Sequence, residues 1–230
     1  MPQTTNRQKL NWIFFDVGGV LIDKTRYENW LIKNMITILQ RYHQKITPIA
    51  LLGASIKASG KTGSLVLNTF QIILKNQKKA EKAYTELKAK RAKEKMEYDQ
   101  ITPIRPEALP VVQRLSSRFH LGIIANQAPE IKEKLSGGGL LSYFQYVGIS
   151  EEYNLFKPDP DFFQAVLRDA KAKPEESAMI DDNIERSLAT AKKLGMTTIF
   201  YNLNQRKEIP KNIIDFTIYS LKDLLKIFKG

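Results

Sequence analysis

One acidic side chain stands out in the segment WIFFDVGG, where four apolar or aromatic residues are followed by Asp16 and, one residue later, by two glycines. A carboxylate that ends a buried strand is held rigidly, which suits a nucleophile or a metal ligand. Gly18 and Gly19 let the backbone approach an anion closely and point its amides at it. The alternative interpretation is that Asp16 begins an ordinary turn.

Other residues whose side chains could take part in catalysis or binding follow similar short apolar runs. Asn126 follows LGIIA, Lys157 lies in LFKPDPDFF, and Asp181 and Asp182 follow AMI. Carboxylate oxygens are hard ligands that suit Mg²⁺, and a lysine near them neutralises negative charge.

Ordinary structural roles remain open for two of these residues. Lys157 is equally typical of a solvated lysine ahead of a helix that Asp159 caps and Pro160 begins. Asp182 and Glu185 have the spacing of a capping box at the start of the helix NIERSLATAKKLG.

Six short apolar runs predict the strands that position these residues: WIFFDV, HLGIIAN, FQYVGI, SAMIDD, TTIFYN and DFTIYS. Amphipathic segments between them predict helices. Alternating strands and helices favour βαβ units and a mostly parallel sheet, whose ligands bind beyond the carboxyl ends of the strands. Asp16, Asn126 and Asp182 are all predicted at such ends.

The stretch 24–100 lacks this alternation of short apolar runs and amphipathic segments and is predicted to be helical throughout. Its segment LKNQKKAEKAYTELKAKRAKEKMEY predicts a long helix with one narrow packed face, formed by Leu74, Ala80, Tyr84, Leu87 and Met96. The segment SIKASGKT nearly matches a phosphate-binding glycine loop, but Ser55 replaces its first glycine and no core strand precedes it. A glycine-containing turn between helices is the favoured interpretation.

Charge and composition exclude several classes of protein. The chain has no cysteine and two histidines, which excludes disulfides, a cysteine nucleophile and a histidine-rich metal centre. The net charge is +12, and residues 24–105 hold 17 basic and 6 acidic side chains. Nucleic-acid binding through this basic stretch is open but not favoured. No membrane span or secretory signal is recognisable, so we expect a cytoplasmic protein.

Four motifs stand in a recognisable order: FFDVGGVLID, LGIIANQ, LFKPDPDFF and AMIDDNIERSLATAKKLGM. They resemble those of the haloacid dehalogenase superfamily of hydrolases, most of which are phosphatases. The resemblance implies a doubly wound, Rossmann-like parallel sheet, formed by residues 1–23 and 101–230. It also implies an inserted α-helical cap domain, residues 24–100.

The resemblance further implies roles for the site residues. Asp16 is the expected nucleophile, which forms an aspartyl-phosphate, and Lys157 is the expected catalytic and substrate-binding cation. Asp16, the carbonyl of Gly18 and Asp182 are the expected Mg²⁺ ligands. Asp181 is expected to contact these ligands without binding the ion itself.

Binding of the substrate phosphate involves the second motif. Asn126 is the expected substrate-binding residue there, but Ala125 stands where the family has a serine or threonine hydroxyl. Gly18 replaces the family's second aspartate, the acid that protonates the leaving oxygen, and Ser187 replaces a further acid. Asp23 or a group on the cap is the candidate substitute acid. Activated leaving groups, such as acyl, anomeric or aryl phosphates, are therefore favoured.

The sequence thus favours a Mg²⁺-dependent phosphatase acting on a small phosphorylated metabolite through an aspartyl-phosphate. One alternative is a non-catalytic relative that binds a ligand, nucleic acid or protein, which the losses at Gly18 and Ala125 favour. Another is carbon–halogen hydrolysis, which needs no protonation of the leaving group. The acidic pair Asp181–Asp182 is unfavourable to this last alternative.

Overall fold

The structure is a computed structural model that describes residues 10–94 and 100–228. The chain forms two compact units. One combines the chain up to Leu21 with the chain from Arg105 onward, and the other comprises Ile22–Ile104. The expected nucleophile, lysine and metal ligands all belong to the first unit, which is assembled from two segments that are distant in sequence. Asp23, the candidate substitute acid, belongs to the second.

Helices build the unit Ile22–Ile104. They are α1 (Thr25–Arg41), α2 (Pro48–Ser59), α3 (Leu65–Leu74) and α4 (Gln77–Lys93). Their apolar faces enclose a core that includes Leu39, Leu51, Phe70 and Leu87. The helical character predicted for this stretch is confirmed over the described residues.

Two details of this unit bear on the predictions. Helix α4 has a narrow buried face, as expected, but it starts at Gln77 because Lys75 adopts a left-handed conformation with φ 49°. The predicted continuation through Met96 lies outside the described residues. SIKASGKT begins inside α2 and ends in the turn before α3, so a glycine-containing turn between helices is confirmed.

A six-stranded sheet forms the centre of the other unit. Its strands are β1 (Trp12–Phe15), β2 (His120–Ala125), β3 (Tyr146–Ile149), β4 (Ser177–Asp181), β5 (Thr197–Tyr201) and β6 (Phe216–Ile218). The order is β3-β2-β1-β4-β5-β6, and every adjacent pair is parallel. All six predicted strands are present, and the α/β fold is confirmed.

Helices and helical turns flank this sheet. They are α5 (Ala108–Ser116), α6 (Ile131–Gly137), α7 (Ser150–Tyr153), α8 (Pro160–Asp169), a π-helical turn (Ile184–Leu188), α9 (Ala189–Lys193), α10 (Leu224–Ile227) and 3₁₀ turns at Leu141–Tyr143, Pro174–Glu176 and Leu221–Asp223. Asp159 caps α8 and Pro160 begins it, as the sequence predicted. In the part of the chain described, no helix has both the length and the apolar character that crossing a membrane requires.

The apolar runs of the strands are continuous because the central strands are covered on both faces. Phe14, Ile124, Met179, Phe162 and Val166 are fully buried in one core cluster. This packing fixes the strand ends, and with them the polar residues that follow.

Gly148 in β3 provides a test of this packing. A Cβ atom at this position would lie 2.4 Å from Val166 Cγ2 on α8 and 3.1 Å from the Ile123 carbonyl oxygen. We expect Gly148→Ala to lower the free energy of unfolding by about 1–3 kcal/mol through overpacking. Urea and thermal denaturation measure this change.

The matched control is Gly53→Ala in α2, where nothing lies within 4 Å of the added methyl group. This variant should gain up to about 1 kcal/mol from helix propensity. Equal midpoints for the two variants would contradict the close approach of α8 to β3.

Candidate active site

Asp16 directly follows the central strand β1. Its N–H donates to the carbonyl oxygen of Ile180 at 2.9 Å, so the sheet still holds the backbone at this point. Phe15 pairs with Ile180 in the neighbouring parallel strand β4. The next residue of each strand is therefore an acid, and Asp16 and Asp181 lie side by side at the carboxyl edge of the sheet.

Lys157 joins these two acids. Its Nζ donates to Asp16 Oδ1 at 2.8 Å and to Asp181 Oδ2 at 2.7 Å. The side chain of Lys157 is only 4% exposed, so this is a buried ion pair shared between two carboxylates. The alternative interpretation of Lys157 as a solvated residue is wrong.

Burial and charge act in opposite directions on these groups. Burial raises the pKa of the Asp16 carboxyl, Lys157 opposes this rise, and Asp181 and Asp182 add to it, which together place the pKa at about 6. Burial lowers the pKa of the Lys157 ammonium, but attraction by Asp16 and Asp181 outweighs burial and leaves the pKa above its ordinary value. Lys157 therefore stays protonated while the carboxylates compete for positive charge.

Three acids converge at this edge. Asp16, Asp181 and Asp182 each offer an oxygen atom, and these atoms lie within 4.8 Å of one another. Three hard, closely spaced oxygen donors fit a divalent cation such as Mg²⁺. Asp181, expected only to support the ligands, lies in this cluster itself and contacts Lys157 directly.

The loop after Asp16 turns sharply through the two glycines. Gly19 has φ 92°, a conformation that only glycine adopts readily, whereas the φ of Gly18 is not positive. Arg105 Nε donates to the Gly19 carbonyl oxygen at 3.2 Å, and the guanidinium lies over the ring of Tyr201. Arg105 thus fastens the loop, a contact that the sequence did not reveal.

Asn126 follows β2 and contacts the backbone of Lys157. Asn126 Oδ1 accepts a hydrogen bond from Lys157 N at 2.8 Å, and Nδ2 donates to the Lys157 carbonyl oxygen at 3.0 Å. Ala125 before it is fully buried and offers only a methyl group. The structure therefore brings Asp16, Asn126, Lys157 and the acidic pair together at one edge.

The alternative interpretation of Asp182 and Glu185 as a capping box is wrong. Asn183 is the cap of the π-helical turn: its side chain accepts from Arg186 N at 2.8 Å, and its own N–H donates to Asp181 Oδ1 at 2.8 Å. The cap therefore lies one residue later than Asp182, because the acidic pair Asp181–Asp182 stands at the end of β4. Glu185 instead pairs with Arg206 at the surface.

Arg186 is a charged residue near the site that sequence reasoning missed. Burial lowers the pKa of its guanidinium below the ordinary value, and the negative charges of Asp16 and Asp181 offset only part of this effect. Ser187 is fully buried, and its hydroxyl makes no hydrogen bond among the described residues. Asp23, the suggested substitute acid, lies in the unit Ile22–Ile104 and accepts from Thr25 N at 2.9 Å.

The geometry agrees with what comparison with known proteins finds. Residues 10–195 match the family of haloacid dehalogenase-like hydrolases. The chain belongs to this family. The resemblance inferred from the four motifs is confirmed, as is the expectation that the protein is an enzyme of the hydrolase class.

Several relatives of this hydrolase are phosphatases. A phosphoserine phosphatase of Thermus thermophilus is 32% identical over 124 residues, which are 53% of this chain and half of that protein. A glyceraldehyde 3-phosphate phosphatase of Pyrococcus furiosus is 25% identical over 230 residues, with 96% of this chain and 94% of that protein covered. The chain thus spans half of the first relative and nearly all of the second.

Solved structures agree on the fold. A predicted phosphoglycolate phosphatase of Haemophilus somnus has a TM-score of 0.72 at 15% identity, covering 98% of this chain and 100% of that one. A HAD phosphatase of Thermococcus onnurineus has a TM-score of 0.65 at 21% identity, covering 96% of this chain and 99% of that one. At these identities the likeness concerns the fold alone.

Removing the shared cation should destabilise this hydrolase strongly. We expect Lys157→Met to lower the free energy of unfolding by about 3–5 kcal/mol, because two buried carboxylates lose their partner. The deficit should be smaller at mildly acidic than at mildly alkaline pH, because burial raises the pKa of the Asp16 carboxyl and its protonated form needs no counter-charge. Denaturation in the presence of a chelator measures both effects.

The matched control is Lys132→Met. Lys132 pairs with Glu152 at 2.6 Å, but both side chains are more than a third exposed, and such a pair contributes about 0–1 kcal/mol. Similar losses for the two variants would show that the buried pair has no special weight.

Proposed function

We propose that this hydrolase is a Mg²⁺-dependent phosphatase that acts on a small phosphorylated metabolite through an aspartyl-phosphate at Asp16. The observation that carries the proposal is the buried Asp16 carboxylate, which shares the Lys157 ammonium with Asp181 at the carboxyl edge of the sheet. A rigidly held, ionised carboxylate beside a cation suits nucleophilic attack on an anionic phosphate.

In the proposed reaction, an oxygen of Asp16 attacks phosphorus while the bond from phosphorus to the leaving oxygen breaks. The leaving oxygen departs with the bonding electrons, and water then cleaves the aspartyl-phosphate to give inorganic phosphate and the free carboxylate. Lys157 neutralises charge between Asp16 and the transferring group throughout. Backbone amides around Gly18 and Asn126 are proposed to bind the phosphate oxygens.

Asp16, the carbonyl of Gly18 and Asp182 are the proposed ligands of Mg²⁺, and Asp181 adds a fourth oxygen donor nearby. The convergence of three acidic side chains supports this assignment. When bound, the ion supplies positive charge that offsets repulsion between the nucleophile and an anionic substrate.

Gly18 determines which substrates are suitable. The proposed site has no aspartate at this position to protonate the leaving oxygen, and such general acid catalysis is typically worth about 10²- to 10⁴-fold, or roughly 3–5 kcal/mol. Acyl, anomeric and aryl phosphates depend less on it than alkyl phosphates do. Ala125 also lacks the hydroxyl that would donate a hydrogen bond to the phosphate, so phosphate binding is weaker.

The similarity to phosphatases of glyceraldehyde 3-phosphate and of phosphoserine supports a small substrate. We propose that residues 24–100 form the cap that selects it, and that the basic character of this stretch attracts anionic metabolites. Nucleic acid is not a favoured partner. The proposal assumes a cytoplasmic enzyme.

A second candidate function is ligand binding without turnover. Gly18 and Ala125 favour it, because together they remove the usual proton donor and one hydrogen bond to the phosphate. Carbon–halogen hydrolysis is less favoured, since the acidic cluster has no evident use in a reaction without a metal ion.

Hydrolysis assays separate these functions. We expect Mg²⁺-dependent hydrolysis of aryl and acyl phosphates, loss of activity with a chelator, and slower hydrolysis of glyceraldehyde 3-phosphate and phosphoserine. Asp16→Asn should lower kcat by about 10⁴-fold or more, as expected for loss of a nucleophile.

The control for this experiment is Asp161→Asn, which alters an exposed carboxylate on α8 and should leave kcat unchanged. Equal, negligible rates for the unaltered chain and Asp16→Asn would favour the binding function. Halide release without Mg²⁺ would favour dehalogenation.

Restoring the missing acid gives a sharper test. We expect Gly18→Asp to raise kcat for alkyl phosphates by about 100-fold or more, and for aryl phosphates much less. The backbone at Gly18 is not left-handed, so an aspartate needs no strained conformation there. Gly18→Asn has the same shape without the proton, and an equal gain with it would contradict the assignment.

A further inference from the structure

Within residues 10–94 and 100–228, the side-chain amide of Asn126 forms hydrogen bonds with a single neighbour. Its oxygen accepts from the N–H of Lys157 at 2.8 Å, and its nitrogen donates to the carbonyl oxygen of the same residue at 3.0 Å. The amide thus bonds the Lys157 backbone through both its donor and its acceptor, as the main chain of an adjacent strand would. Asn126 itself directly follows β2, so its backbone is tied to the sheet.

Lys157 needs such a restraint because no regular element holds it. It lies in the segment between α7 and α8, outside any helix or strand. Its four-carbon side chain is flexible, yet its ammonium must stay between Asp16 and Asp181. Among the hydrogen bonds of the described residues, only those from Asn126 reach the N–H and the carbonyl oxygen of Lys157. On either side, Asp159 N donates to the Phe156 carbonyl oxygen at 2.9 Å, and Thr190 Oγ1 donates to the Pro158 carbonyl oxygen at 2.8 Å.

We propose that Asn126 is a positioning residue, whose side-chain amide clamps the Lys157 backbone so that the ammonium is held between the two carboxylates. Its effect on turnover rests on the proposed phosphatase function, whereas its effect on Lys157 does not. The side-chain amide is thereby assigned to Lys157, in contrast to the substrate contact expected from the motif.

Asn202 offers a matched control within the same unit. Its Nδ2 donates to the Arg206 carbonyl oxygen at 3.0 Å, and its Oδ1 accepts from Arg206 N at 2.7 Å. The two asparagines therefore lose the same pair of backbone bonds on substitution by alanine. Asn202 contacts none of the residues proposed for catalysis through these bonds.

The decisive measurement is the reactivity of Lys157 toward acetic anhydride, followed by peptide mass spectrometry on the full chain. A buried ammonium in two ion pairs reacts slowly. Losing two hydrogen bonds in Asn126→Ala should raise the acetylation rate of Lys157 by about tenfold or more, while Asn202→Ala should leave it unchanged. Equal Lys157 rates in the unaltered chain and Asn126→Ala would overturn the proposal, as would equal increases in both variants.

Kinetics with an aryl phosphate give a second readout. Misplacement of the ammonium should lower kcat of Asn126→Ala by about ten- to a hundredfold, with KM changed by less than about twofold. A raised KM with unchanged kcat would mean a substrate contact and would overturn the proposal. If the unaltered chain hydrolyses no phosphate ester, the proposed function fails, and the acetylation rates still decide the role of Asn126.

Discussion

The rest of the site depends on one interaction, the buried ion pair that the Lys157 ammonium forms with the carboxylates of Asp16 and Asp181. Removing charged groups from water is costly, and the attraction between them compensates only when their geometry is well held. Two carboxylates nevertheless share this one ammonium, and Asp182 adds a third acid to the same cluster. The excess negative charge would repel a phosphate, so chemistry on such a substrate requires further positive charge, which a divalent cation would provide.

The order of the strands solves half of the positioning problem. Because β1 lies between β2 and β4 and all three strands are parallel, the sheet alone brings the residues that follow them together at one edge. Lys157 comes from outside the sheet and has no such constraint. The hydrogen bonds from the side chain of Asn126, at the end of β2, reach the Lys157 backbone, which is how a neutral residue contributes to the geometry of the charged site.

The strands were predictable because buried parallel strands have continuous apolar sequences, and the acids at their ends followed from the same pattern. Which of two adjacent acids approaches the lysine was not predictable. Asp181 contacts Lys157 because of the pairing of β4 with β1, a property of tertiary register. Arg186 lies in a π-helical turn, whose irregular geometry leaves no trace in a 3.6-residue periodicity.

The division of the sheet between two distant segments has a consequence for biosynthesis. The strand Trp12–Phe15 leaves the ribosome before both of its partners, which are residues 120–125 and 177–181. At about 5–20 residues per second, the second partner follows only after roughly 10–30 seconds. Until β2 has been made, both edges of this apolar strand lack their partners, and one edge still lacks its partner until β4 follows. Nascent chains of this protein are therefore expected to need shielding from aggregation until β4 has emerged.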